Sequence, residues 1–218
     1  MMPGKEFITA EPFVPEGVKL AELPAAVQHC KGCDLYLRAT QGVAGEGPRS
    51  APLMMVGEQP GDREDREGKP FVGPAGRLLD KALEDAGIAR EEVYLTNAVK
   101  HFKFEERGKR RIHKKPSVGE IEACFPWLAV ELAEVRPRII VCLGATAARA
   151  ILGKEHGLMA HRGEFFPHSS GALATATVHP SAVLRSTDPE SRKLAYGAFV
   201  RDLSLVERKL KGAHASTR

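Results

Sequence analysis

The chain has 218 residues, 43% of them hydrophobic and 28% charged, with a formal net charge of +4 and a pI near 8.9. This length suits a single domain over residues 1–218 that buries its own core and acts as a monomer, and the composition excludes general disorder. No apolar run approaches a membrane span, so a cytoplasmic protein without membrane contact is expected, and the mild positive charge favours an anionic partner where the cations cluster.

The N-terminus, MMPGKEFITAEPFVPEG, carries no secretory apolar stretch, and residues 1–17 read as an extended arm. Cys30 and Cys33 then form a CxxC pair, while Cys124 and Cys142 stand apart. Disulfides are disfavoured in the cytoplasm. Four thiolates suffice for tetrahedral zinc or for an iron–sulfur cluster, and Cys124 and Cys142 as unligated core thiols are a third reading; spacing alone does not choose.

Leu53 to Val56 is the first of four short apolar runs that read as buried strands, and it leads into GEQPGDREDREGKPFVGPAG. Ala75, Leu78, Leu79, Ala82, Leu83 and Ala86 recur at helical period, and Gly87 ends that helix. Val93 to Thr96 is the second strand. Beyond it, Lys100 to Lys115 reads KHFKFEERGKRRIHKK, a loop whose cations are interleaved with Phe102 and Phe104, a pattern suited to neutralising phosphates and stacking bases. Ser117 and Glu120 make a capping box for a helix with Ile121, Cys124, Phe125, Leu128 and Leu132 on one stripe. Ile139 to Leu143 is the third strand, Thr146 to Leu152 a short helix, Ala174 to Val178 the fourth strand, and Arg192 to Leu210 the last helix, with 212–218 a disordered tail. Strands alternating with helices predict an α/β fold: a three-layer α/β/α sandwich around a central four-stranded parallel sheet, with ligands bound at the carboxyl ends of the strands.

Reading just past each strand therefore gives the candidate site. The first loop matches neither GxGxxG nor the P-loop pattern, so nucleotide binding is not expected. It does carry Glu58 and Asp62 near the strand end, and Phe71 between Pro70 and Gly73, a residue that reads as core or as a stacking platform. Asn97 ends the second strand with a donor and an acceptor on one amide, as a base edge requires. His179 ends the fourth, where it can donate to developing negative charge. His113 lies inside GKRRIHKK, and the surrounding cations disfavour a further charge, which favours a neutral imidazole with a free lone pair.

GEQPG, KPFVGPAGRLL, TNAVK, LGATAA and HPSAVLR, in this order and with this cysteine spacing, resemble the uracil-DNA glycosylase superfamily in its branch carrying a 4Fe-4S cluster. The resemblance runs from about Leu20 to Leu205. Hydrolytic members of that branch usually have Ala or Gly where this chain has Gln59, and this chain also carries KRRIH, Lys109 to His113. Both departures resemble the UdgX family, whose members attach covalently to uracil-containing DNA through the histidine of that loop. The resemblance implies a glycosylase fold and a structural cluster on Cys30, Cys33, Cys124 and Cys142. It implies that Phe71 stacks on uracil, Asn97 reads its pairing edge, His179 donates to a carbonyl, and Gln59 and Asp62 line the pocket. Ser181, Leu184 and Arg185 would press into the DNA groove, and Lys109, Arg110 and Arg111 would hold phosphate. Glu58 would orient His113 or stabilise the charge it acquires when the ring captures C1′, giving one turnover and a stable adduct. The alternatives are a hydrolytic glycosylase, in which Glu58 or Asp62 directs water and His113 only contacts DNA, and a non-catalytic iron–sulfur protein that recognises damaged DNA.

Overall fold

A computed structural model describes residues 9–154, 157–158 and 160–215. Short 3-10 turns at Glu11–Phe13, Leu20–Glu22, Val27–His29 and Asp34–Leu37 flank α1 (Leu23–Ala26). Pro12 and Pro24 sit in first turns, where a missing amide donor costs nothing. Over its described part the arm is not extended. Ala10 donates its amide to the Ala123 carbonyl at 2.7 Å, and Leu23, Val27 and Leu35 bury their side chains with Trp127. Ala10, Phe13 and Val14 of the arm join the same cluster, which removes their apolar surface from water.

The elements that follow are β1 (Leu53–Gly57), α2 (Asp62–Glu67), α3 (Pro74–Ala86), β2 (Val93–Asn97), β3 (Phe104–Arg107), β4 (Arg110–His113), α4 (Val118–Val135), β5 (Ile139–Leu143), α5 (Ala145–Leu152), β6 (Phe165–Pro167), β7 (Leu173–Thr177), α6 (Pro180–Leu184) and α7 (Pro189–Ala215). The four expected strands form a parallel sheet in the order β2-β1-β5-β7, and β6 adds a fifth, antiparallel edge strand. The four-stranded expectation is thus corrected by one short strand, whose three residues are too few to show a period. β3 and β4 form a separate antiparallel hairpin where a loop was expected. The tail expected to be disordered from 212 is helical as far as Ala215, and 216–218 lie outside the described residues.

Strand alternation divides the core into two layers. Met54, Val56, Ile140, Cys142, Ala174 and Ala176 face Leu128 and Leu132 of α4 and Ala147 and Ile151 of α5. Leu53, Met55, Leu95 and Val141 face Leu79 and Leu83 of α3 and Phe199, Leu203 and Val206 of α7. Helices on both faces explain why β1, β2 and β5 are buried along their whole length. Ser117 caps α4 by accepting from the Glu120 amide while Glu120 accepts from the Ser117 amide. Among the described residues no helix is long and apolar enough to cross a membrane.

Candidate active site

Parallel register brings the carboxyl ends of β1, β2, β5 and β7 to one edge, with Gly57 opposite Asn97. Above it opens a cleft of about 700 Å³ that reaches Glu58, Gln59, His113, Lys115, Gly144, His179 and Arg185. A narrow recess continues from it between Gln59, Gly61, Glu64, Phe71, Asn97 and His179. Gly57 forms the floor: a Cβ there would collide with Asn97 Oδ1 and the Phe71 ring.

Phe71 adopts a left-handed backbone (φ 56°) and stacks on His179 with ring centroids 6.2 Å apart. A bulky residue takes that conformation only when its surroundings enforce it. Two residues do so. A Cβ at Gly76 would overlap the Phe71 carbonyl, and buried Glu64 accepts from the amides of Gly61 at 3.1 Å and Gly73 at 2.7 Å, closing both ends of the loop. Glu64 was missed in the sequence, although its place three residues after Gly61, at the start of α2, is a capping signal.

His179 caps α6, and its Nδ1 accepts from the Ser181 amide at 3.1 Å. The ring proton is therefore on Nε2, free to donate. Burial holds this imidazole down to about 4, so it is neutral at physiological pH. Ser181 Oγ lies 2.8 Å from the same Nδ1 and accepts from Arg185 at 3.0 Å, so Ser181 supports His179 and Arg185 at the same time. Leu184 stands exposed at the end of α6.

Glu58 projects from the end of β1. His113 Nε2 lies 3.2 Å from one carboxylate oxygen, and Thr146 Oγ1 donates to the other. Burial pushes the Glu58 carboxyl up, but the bonds from His113 and Thr146 outweigh it and hold the group below the ordinary carboxylate range. His113 itself is half exposed, at the last position of β4.

The hairpin explains how this imidazole is aimed. Cross-strand pairs Phe104–His113 and Glu106–Arg111 put Arg111 and His113 on one face, two residues apart. Arg111 fastens that face to the body: its guanidinium bonds Asp62 at 2.5 Å, buried Asp65 at 2.6 Å and Thr40 at 3.0 Å, and lies over the rings of Phe102 and Phe104. Gln59 fastens the hairpin's base. Its amide nitrogen donates to the carbonyls of Lys103 and Lys114 at 3.1 and 3.0 Å, and its oxygen accepts from the Lys103 amide at 3.0 Å. Neither Ala nor Gly can make these bonds.

Several expected roles change here. Asp62 does not line the cleft; its carboxylate is taken by Arg111 and Arg66, whose bonds outweigh burial and hold it low. Of the three cations expected to hold phosphate, Lys109 and Arg110 are exposed near the hairpin tip, but Arg111 is a strut with a side chain only 14% exposed. Phe102 and Phe104 are buried beneath Arg111 and stack on each other, so no base reaches them. Gln59 lines the cleft, yet its hydrogen-bonding groups face the hairpin backbone.

The four cysteines divide three to one. Cys30, Cys33 and Cys124 pack in one cluster, Trp127 Nε1 donates to Cys30 Sγ at 3.2 Å, and the Lys100 amide donates to Cys124 Sγ at 3.2 Å. Cys142 sits mid-strand in β5 between Val56 and Ala176, in the other core, and burial alone raises its thiol. The expectation that Cys142 completes the ligand set is corrected by this position. Among the described residues no group of three or more His, Cys, Asp or Glu side chains could hold a single metal ion.

Residues 44–204 match the family model of the Uracil DNA glycosylase superfamily. A Type-4 uracil-DNA glycosylase of Thermotoga maritima is 34% identical over 184 residues, covering 84% of this chain and 92% of its own. The Type-4 enzyme of Pyrobaculum aerophilum is 34% identical over 197 residues, covering 85% and 92%, and that of Saccharolobus solfataricus 35% identical over 176 residues, covering 77% of each. A family match over most of the chain, relatives aligned along 77–92% of their length, and a sheet edge built from the matched segment lead to one conclusion: this chain belongs to the uracil DNA glycosylase superfamily.

Proposed function

We propose that this protein excises uracil from DNA and is then captured by the abasic sugar through His113. The observation that carries the reading is the Glu58–His113 contact at the mouth of the cleft, on a hairpin fastened by Gln59 and Arg111. The base leaves the stack and enters the recess, where Phe71 stacks on it and Asn97 meets its pairing edge. As the N-glycosidic bond breaks, its electron pair departs with the uracil anion, and His179 Nε2–H donates to the carbonyl on which that charge collects. The sugar is left cationic at C1′. Glu58, ionised across the physiological range, steadies that charge.

Capture balances without water. The neutral His113 ring gives its lone pair to C1′, a C–N bond forms, and the ring becomes cationic against the Glu58 carboxylate. With Nε2–H directed at Glu58 the lone pair is on Nδ1, whereas bonding through Nε2 starts from the other neutral tautomer, which carries its proton on Nδ1. Lys109, Arg110, Lys115 and Arg185 hold the flanking phosphates and Leu184 wedges into the groove. The protein acts as a cytoplasmic monomer on uracil-containing DNA.

A 4Fe-4S cluster belongs to the same proposal. Cys30, Cys33 and Cys124 supply three thiolates and the fourth donor is not Cys142. His101, buried and one residue beyond the amide that bonds Cys124, is the imidazole best placed along the chain to serve. When bound, the cluster ties the N-terminal turns to α4.

The second reading is turnover by hydrolysis with Glu58 directing water, and its specific support is that the Glu58 carboxylate lines the cleft and is held ionised. A denaturing gel with a uracil-containing oligonucleotide separates the two. Capture gives a heat-resistant shifted band, hydrolysis a free abasic strand, and a protein that only recognises damage gives neither.

A further inference from the structure

Behind the base-reading edge lies a buried ion pair that the chemistry above does not use. Lys100 and Glu131 have side chains 1% and 0% exposed, with Nζ 2.7 Å from the carboxylate. The three donors of Nζ meet three acceptors: Glu131, Thr96 Oγ1 at 2.7 Å and the main-chain carbonyl of Asn97 at 2.9 Å. Glu131 in turn accepts from Thr96 Oγ1 at 2.7 Å and from the Gly45 amide at 2.8 Å. An apolar pair of similar volume usually serves a core as well or better, so stability alone does not account for two buried charges.

Position does. β2 is the outer strand of the sheet, and Asn97 is its last residue. The Ala98 and Val99 amides still bond the Gly57 and Glu58 carbonyls, and on the outer side Glu46 pairs with Leu95 in an isolated bridge that, among the described residues, does not extend to the Asn97 carbonyl. Lys100 takes it. The peptide that carries the Asn97 side chain is thereby held between β1 on one side and a buried ammonium on the other. Through its own amide Lys100 also meets Cys124, so one residue joins the thiol cluster to the base-reading position.

We propose that Lys100 and Glu131 are positioning residues that set the orientation of the Asn97 amide toward the extruded base. This rests on Asn97 reading that base and is independent of whether His113 traps the sugar. The measurement is the single-turnover rate of uracil release, which registers excision with or without an adduct, in a double-mutant cycle on the full-length holoprotein. Its arms are Lys100→Met/Glu131→Gln, which removes both charges, Asn97→Ala, and the combination. The neutralised pair is expected to release uracil roughly 10- to 100-fold more slowly and to bind free uracil correspondingly more weakly, with DNA affinity unchanged. In the Asn97→Ala background it should add no more than about twofold, because the residue it positions is gone. An equal loss in both backgrounds, or no loss in either, overturns the proposal and leaves the pair purely structural. If Asn97→Ala alone has no effect, the base-reading role of Asn97 is what fails, and the positioning role with it. Should the neutralised pair not fold, Glu131→Gln replaces it in the same cycle, with the same decision and a smaller expected loss.

Discussion

The two halves of the site are held by different physics. Phe71, Asn97 and His179 sit on strand ends and tight turns whose backbone is locked by the parallel ladder and by buried groups such as Glu64 and Lys100. His113 sits on a two-stranded ribbon, and a lone hairpin of this size is marginal in water. The ribbon keeps its geometry only through attachments: Gln59 at its base, Arg111 on its inner face, and Lys103 paired with Glu120 at 2.8 Å. Under the proposed function, excision would belong to the rigid sheet edge and capture to the attached ribbon, so the two activities should be separable by mutation.

The sharpest way to break that division is His113→Ser. The heat-resistant band should vanish altogether while uracil release stays within about tenfold of the parent; a persistent band would move the attachment point to another residue. Next in size is Arg111→Met. It strands buried Asp65 without its cation, a change of the kind that costs about 3–5 kcal/mol, and it frees the inner face of the ribbon. Adduct yield should fall about 100-fold, with urea denaturation reporting the stability loss. A variant that still captures at the parental rate would show that Arg111 does not aim His113.

What could be read from the sequence follows the same division. The four parallel strands were visible because both of their faces are buried, which leaves uninterrupted apolar runs such as LMMV and IIVCL. The ribbon was not, because FEER and RRIH carry charges on both faces and a period of two disappears among them. Arg111 therefore read as a free cation, and Phe102 and Phe104 as exposed rings, when all three form one buried stack. Gln59 stood out as unusual, but its partners are main-chain carbonyls 44 and 55 residues away, which no local pattern reveals. Cys142 is the reverse case: the sequence left it open as a ligand or as an unligated core thiol, and its place inside a fully buried strand favours core.

Smaller effects sharpen the comparison. Gln59→Ala should loosen the base of the ribbon without touching the recess floor, lowering adduct yield about tenfold and uracil release by less than about threefold. Equal losses in both assays would place Gln59 in the excision machinery instead. Among the cysteines, Cys33→Ser should abolish the visible absorption of a bound cluster, whereas Cys142→Ala should keep it and cost about 1–3 kcal/mol of packing. Loss of colour in Cys142→Ala would restore it to the ligand set.

The smallest expected effect is on stability against pH, and it isolates the rigid half. His179 is held to about 4 in the folded protein against about 6.5 in an unfolded chain. Between those values the unfolded state binds the extra proton, so stability rises with pH through this window. The contribution is complete above about pH 6.5 and is lost as pH falls toward 4, up to about 3 kcal/mol. His179→Asn should lessen that slope, measured as the difference in urea midpoint between pH 4.5 and 7, without abolishing it, because burial also holds His101 down to about 4. Glu58 and Asp62, both held low, lose their contributions only at more acid pH. An undiminished slope in His179→Asn would mean that the imidazole takes up its proton in place, and that the recess is wetter than its packing against Phe71 implies.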